Sequence, residues 1–257
     1  MIILAIDIGN TRTTLGVFKG KKLAGTVHFP STISPSKVRQ QIQRVLQQIR
    51  VSPDALSGVV ISSVVPSLTK KLSAAIKRLV HIKPLVVTGT LNIGLRILYK
   101  NPKSLGADRI CSAVAAFHTY GGPIIIVDAG TATTYDVLSK DGTFLGGAIA
   151  PGIMTTAAAL HLRTAQLPKI QLHFPKNIIG KTTAENIQSG ILYGAIDAME
   201  GMIRRIKAVT GKRTRVILTG GFSNILRKRT RMIDIVEPSL VLEGARLICE
   251  RVRRASK

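Results

Sequence analysis

Three aspartates in this 257-residue chain sit in surroundings suited to phosphate or proton chemistry. Asp7 closes an apolar run over residues 2–6 and precedes Gly9, Asn10, Thr11, Thr13 and Thr14, after which residues 15–18 are apolar again. That pattern predicts a buried strand, a tight turn and a returning strand. Gly9 lets backbone N–H groups come close to an anion, and the threonine hydroxyls add donors. Asp7, at the strand end, can hold Mg²⁺ through water. An ordinary Asx-type hairpin carries the same residue types, so the turn alone does not decide.

Asp128 stands in a partial copy of this stretch. Residues 124–138 read IIIVDAGTATTYDVL, and adding 121 places Asp7 on Asp128, Gly9 on Gly130 and Thr13 on Thr134. A repeat of this kind predicts two similar domains rather than a solenoid. Asp108 lies in the stretch PKSLGADR, residues 102–109, where Gly106 breaks the chain and Asp108-Arg109 begin a helix. A carboxylate there can accept a proton, and the neighbouring guanidinium can pair with an anionic group. Capping alone also favours an acid in a first helical turn.

The elements that must carry these groups alternate between strand and helix. A helix opens at Ser34-Pro35, with Val38, Ile42, Val45, Leu46 and Ile49 as its apolar stripe. Strand 58–65 ends in Ser62-Ser63, which either face the site or pack. Helix 67–79, strand 84–88 and helix 108–120 complete the first half. The second half reads as hairpin 124–138, a turn at Asp141-Gly142, strand 143–150 and helix 153–164. A loop over 165–180 leads to a long helix, 182–209, whose glycines at 190, 194 and 201 suggest close helix packing. Strand 215–218 ends in Thr219-Gly220-Gly221, a turn suited to a phosphate or adenosine contact. A strand at 232–236 and a helix at 239–252 close the chain. The expected halves are residues 1–120 and 121–257. Neither the Walker loop nor the Rossmann glycine fingerprint is present.

Composition narrows the class. The formal charge is +24, with the basic excess greatest towards the C-terminus, where residues 204–257 hold fifteen Lys/Arg against four acids. Nucleic-acid binding is therefore a real alternative. Aromatic residues are only 4% with no Trp, so no stacking platform for single strands is evident. Cys111 and Cys249 are too few for a disulfide framework, and core packing in a reducing cytoplasm is expected of them. No apolar run approaches the roughly 20 residues of a membrane span. The five histidines show no catalytic or metal-binding spacing.

Taken in order, DIGNT at 7–11, YKNP with LGADR at 99–109, DAGTATTYD at 128–136, GGAIAPG at 146–152, IGKTT at 179–183 and TGG at 219–221 resemble type III pantothenate kinase. The resemblance covers nearly the whole chain. It implies an α/β, duplicated two-domain actin-like ATPase (ribonuclease H-like) fold with mixed sheets flanked by helices. The implied reaction is ATP-dependent phosphorylation of (R)-pantothenate to 4′-phosphopantothenate, the first step of coenzyme A synthesis. Carried over residue by residue, Asp7, Ile8, Gly9, Asn10, Thr11, Arg12, Thr13 and Thr14 would bind the ATP phosphates, with Asp7 serving Mg²⁺ and Thr131 contacting ATP. Tyr99, Gly106, Ala107, Asp108 and Arg109 would bind pantothenate, with Asp108 as proton acceptor. Asp128 would bind a monovalent cation, K⁺ or NH₄⁺. Thr183 would contact pantothenate from the other subunit of a homodimer. The basic charge departs from expectation for the family. It keeps a nucleic-acid-binding transcriptional accessory factor on the same fold as the alternative, beside another small-molecule kinase of the superfamily.

Overall fold

The computed structural model describes residues 1–255. In strand β1 (Ile2–Ile8), Leu4, Ile6 and Ile8 pack into an apolar cluster with residues of two helices, while Ile3 and Ala5 are buried on the opposite face. A strand covered on both faces is what its unbroken aliphatic run implies. It is followed by β2 (Arg12–Lys19), β3 (Lys22–Pro30), helix α1 (Pro35–Gln48), β4 (Gly58–Ser63), α2 (Pro66–Val80), the two-residue β5 (Leu85–Val86) and α3 (Ala107–Tyr120). The sheet order is β3-β2-β1-β4-β5, antiparallel through β1 to β3 and parallel from β1 through β4 to β5. Ser34 caps α1, its hydroxyl accepting from the Lys37 N–H.

The second sheet repeats the first. It is built from β6 (Ile124–Ala129), β7 (Ala132–Leu138), β8 (Phe144–Pro151), β9 (Arg215–Thr219) and β10 (Ile235–Val236), in the order β10-β9-β6-β7-β8. Its helices are α4 (Ile153–Arg163), α5 (Thr183–Thr210) and the short α6 (Ser223–Arg227). Thr182 and Glu185 form a reciprocal capping box at the start of α5. Ile125, Val127, Tyr135, Val216 and Leu218 join Ile191, Ile196, Met199 and Ile203 of α5 in the second core.

The last helix, α7 (Leu240–Ala255), corrects the expected division of the chain. Contacts separate Met1–Tyr120 with the segment from Ser239 onward as one unit, and Gly121–Pro238 as the other. The break at residue 120 is where the sequence placed it, but α7 packs on α3, β1 and β4 of the first unit. Leu240, Leu242, Ala245, Ile248 and Cys249 are its buried face. Ser256 and Lys257, the end of the expected second half, lie outside the described residues. The glycines at 190, 194 and 201 have no atom within 4 Å of where a Cβ would stand, so they seat no neighbouring helix among the described residues.

Repeat and register also differ in one detail. β1 and β2 are joined through Gly9, Asn10 and Thr11, β6 and β7 through Gly130 and Thr131 only. Asp7 therefore faces Thr14 across its hairpin, and Asp128 faces Thr134. Thr134 corresponds to Thr14, not to Thr13, because the shorter turn shifts the returning strand by one residue.

Candidate active site

In the first unit, three segments end at one corner. Asp7 lies beside Ser62 and Ile8 beside Ser63 in the parallel β1–β4 pair, and the Val64 N–H donates to the Ile8 carbonyl at 3.1 Å. The start of α3 joins them there. A Cβ on Gly106 would stand 2.4 Å from the Asp108 carboxylate and 3.6 Å from Val64.

Ser62, Asp7, Thr14 and His28 form one transverse row across β4, β1, β2 and β3. The Ser62 hydroxyl donates to Asp7 Oδ1 at 3.0 Å, and Thr14 Oγ1 lies 3.0 Å from His28 Nδ1. The adjoining turn is closed by the Gly9 N–H donating to the Arg12 carbonyl at 3.0 Å. From beneath, Ser31 Oγ donates to the Gly9 carbonyl at 2.6 Å and lies 2.9 Å from Thr13 Oγ1. Thr13 is fully buried and so braces the turn, while Asn10, Thr11 and Arg12 are exposed.

Asp108 is half-buried in the first turn of α3. Loss of water raises its pKa above the ordinary carboxylate value, against the opposing Arg109 N–H bond at 2.8 Å and the Arg109 charge. Arg109 is buried with its guanidinium 5.9 Å from the centroid of the Tyr99 ring. A half-buried tyrosine, a guanidinium and a carboxylate of raised basicity thus sit together. One helical turn further, the Cys111 thiol is fully buried near the carboxylates of Asp7 and Asp108. Its pKa is raised well above the usual thiol value, chiefly by burial.

The second unit holds the equivalent row: Thr219, Asp128, Thr134 and Ile149 across β9, β6, β7 and β8. The Gly130 N–H donates to the Ala132 carbonyl at 3.1 Å. Gly220, with φ +91°, comes so close that a Cβ there would lie 2.3 Å from Asp128 Oδ1. The Thr131 carbonyl accepts from the Gly152 N–H at 3.1 Å and from Thr155 Oγ1 at 2.6 Å, which fixes the turn. Thr134 Oγ1, next to Asp128 in the ladder, is buried with no hydrogen-bond partner among the described residues. Thr131 and Thr183 are exposed, the latter at the first residue of α5. Among the described residues, no group of three or more His, Cys, Asp and Glu gathers as a metal cluster.

The family model described as type III pantothenate kinase matches residues 3–205. The chain belongs to the type III pantothenate kinase family. Proteins named type III pantothenate kinase from Geobacillus kaustophilus and Dehalococcoides mccartyi are 42% and 41% identical to it. The alignments cover 97% and 96% of this chain and 98% and 96% of those proteins. Among solved structures, the activator of 2-hydroxyisocaproyl-CoA dehydratase from Clostridium difficile superposes with a TM-score of 0.62 at 16% identity, covering 100% of this chain and 97% of that one. That likeness supports the duplicated actin-like ATPase fold that the family resemblance implied. The relatives' names favour the kinase over the nucleic-acid alternative.

The structure brings Asp7, Asp108, Arg109 and Tyr99 into one unit and Asp128 with the Thr131 turn into the other. Of the two readings the sequence left open for Ser62, facing the site or packing, the structure favours the first, its hydroxyl donating to Asp7. Ser62 could be found from its place at the end of a strand parallel to β1.

Proposed function

We propose that this protein transfers the γ-phosphoryl group of ATP to the primary hydroxyl of (R)-pantothenate, giving 4′-phosphopantothenate for coenzyme A synthesis. The observation that carries the reading is Asp108: a desolvated carboxylate of raised pKa, set beside Arg109 and Tyr99 in a member of this family. Phosphoryl transfer asks chiefly for positioning and charge neutralisation. Arg109 offers a fixed cation to the pantothenate carboxylate, and Tyr99 a wall beside it. Asp108 accepts the hydrogen bond of the primary hydroxyl and takes its proton as the new P–O bond forms. Its raised pKa makes it a stronger base than an ordinary aspartate. The exposed turn residues Asn10, Thr11 and Arg12 present polar groups to the phosphates of ATP, on a backbone held by Ser31.

Asp7 would hold Mg²⁺, whose all-oxygen preference suits a carboxylate oriented by a serine hydroxyl. Mg²⁺, when bound, neutralises phosphate charge. Asp128 would hold K⁺ or NH₄⁺, and the unpartnered Thr134 oxygen beside it supplies the neutral donor such an ion accepts. Homodimerisation is supported by Ile178 and Ile179, 63% and 82% exposed just ahead of Thr183, since a partner covering them would also meet Thr183. A cytoplasmic setting suits its two buried free thiols, and no described helix is long and apolar enough to cross a membrane.

A coupled ADP-release assay tests the reading. Release should require pantothenate and rise when K⁺ replaces Na⁺; release indifferent to pantothenate would overturn the assignment. Gly220→Ala should raise the K⁺ concentration for half-activation by tenfold or more, since its methyl would take the space of Asp128 Oδ1. Circular dichroism should show the variant still folded but melting at a lower temperature, because the same methyl meets the Ala129 backbone at 2.7 Å and Gly220 has φ +91°. Unchanged K⁺ activation would remove Asp128 as the cation ligand.

A further inference from the structure

We propose that Ser31 is a positioning residue for ATP: it draws the carbonyls of Gly9 and Thr11 to the inner side of the β1–β2 turn and so keeps two oxygen dipoles off the phosphates. This rests on the phosphate-binding role given above to that turn. Pro30 ends β3 opposite Arg12 and has no N–H to donate, so Ser31 is the first donor past the ladder. Its N–H donates to the Thr11 carbonyl at 3.0 Å, and its hydroxyl donates to the Gly9 carbonyl at 2.6 Å. Ser31 has one hydroxyl proton, so the Thr13 hydroxyl, 2.9 Å away, donates to Ser31 Oγ. Ser31 is 9% exposed and Thr13 fully buried, while Asn10, Thr11 and Arg12 are exposed. The two carbonyls thus point to the buried side of the turn.

The second unit repeats the device within itself. Pro151 ends β8 opposite Ala132, and the Gly152 N–H donates to the Thr131 carbonyl at 3.1 Å. Ser31 and Gly152 therefore hold the same register position. So do Thr11 and Thr131, each the last turn residue before the returning strand. The residues differ for a steric reason. The second turn is one residue shorter, and a Cβ on Gly152 would stand 2.3 Å from the Gly130 carbonyl oxygen and 2.5 Å from that of Thr131. There the hydroxyl comes from α4 instead, Thr155 Oγ1 donating to the Thr131 carbonyl at 2.6 Å. Each turn thus has its carbonyls taken up by one N–H just past the third strand and by one hydroxyl. A carbonyl oxygen turned towards a phosphate repels it, whereas backbone N–H groups attract it. Without the Ser31 hydroxyl the Gly9 carbonyl loses its partner. Glycine tolerates a wide range of φ and ψ, so that peptide can rotate and present its oxygen to the anion.

Calorimetric titration with the non-hydrolysable nucleotide AMPPNP and Mg²⁺, without pantothenate, reads the turn apart from turnover. Adenosine, which carries no phosphate, is the control. Ser31→Ala keeps the N–H bond to Thr11 and loses the hydroxyl bond to Gly9. It should weaken AMPPNP binding by about 10-fold and leave adenosine binding unchanged. In ADP release it should raise KM for ATP by a similar factor, with little change in KM for pantothenate. Wild-type AMPPNP affinity in Ser31→Ala overturns the proposal. So does an equal loss for adenosine and AMPPNP, which would make Ser31 a support of the fold alone. If Ser31→Ala does not fold, Ser31→Cys decides by the same comparison, since it puts a weaker donor in place of the hydroxyl. Failure of the pantothenate assignment would look different: AMPPNP binding would still depend on Ser31, while wild-type ADP release ignored pantothenate.

Discussion

Replacing Asp108 by Asn should lower kcat by about 10²- to 10⁴-fold, the range lost with a general base, and should leave the protein at least as stable at neutral pH. The two side chains have nearly the same shape, and the Asn oxygen can still accept the Arg109 N–H that Asp108 accepts at 2.8 Å. What disappears is the capacity to take the proton of the acceptor hydroxyl. Stability should move the other way because burial raises the Asp108 pKa. Between the ordinary aspartate value of 3.8 and the raised folded value, the native state binds more protons than the unfolded chain, so stability falls as pH rises through that window. Above it the carboxylate is charged and poorly solvated in the fold, a penalty that Asn escapes. Wild-type kcat/KM should lose activity on the acid side with a midpoint above 3.8 if Asp108 must be ionised to act. Turnover by ADP release and thermal melts across pH check both halves. A variant with near-normal turnover would remove Asp108 from the proton-accepting role.

The sequence made these positions legible wherever the determinant was local. Asp108 falls in the first turn of α3 because Gly106 ends the preceding segment, and Ser34 caps α1 as its type and place suggest. The paired hairpins follow from two aliphatic runs around D-x-G. What could not be read was set by backbone length or by distant contacts. Thr13 and Thr134 match by identity, yet one residue fewer in the second turn pairs Thr14 and Thr134 with the two aspartates. The apolar stripe of α7 says that one face is buried and not which sheet buries it. The joining of Ser62 to Asp7 required the parallel β1–β4 pairing to be known. The +24 charge remains outside the site as drawn: among the described salt bridges, those of Arg246 with Glu243 and Glu250 satisfy a buried guanidinium and leave most of the basic surface to solvent.

Gly244→Ala should destabilise the protein by about 3 kcal/mol, at the upper end of what overpacking a close contact costs, and should lower turnover as well. In a helix interior, alanine is intrinsically preferred over glycine by roughly 0.8–1 kcal/mol, so propensity alone predicts the opposite sign. Contact decides otherwise. A Cβ at Gly244 would lie 1.8 Å from the carbonyl oxygen of Cys111 and 2.8 Å from its Cα, and backbone cannot swing aside as a long side chain can. α3 and α7 would have to separate, and with them Asp108 would move from the corner formed by Asp7 and Ser62. Gly190→Ala in α5 is the internal control: nothing lies within 4 Å of its Cβ position, and the change should be stabilising by roughly 0.5–1 kcal/mol. Chemical denaturation of the two variants should therefore shift in opposite directions, with ADP release impaired only in Gly244→Ala. If both variants gained stability together, the close crossing of α3 and α7 at Cys111 would be wrong, and the clamp it places on the Asp108 helix would go with it.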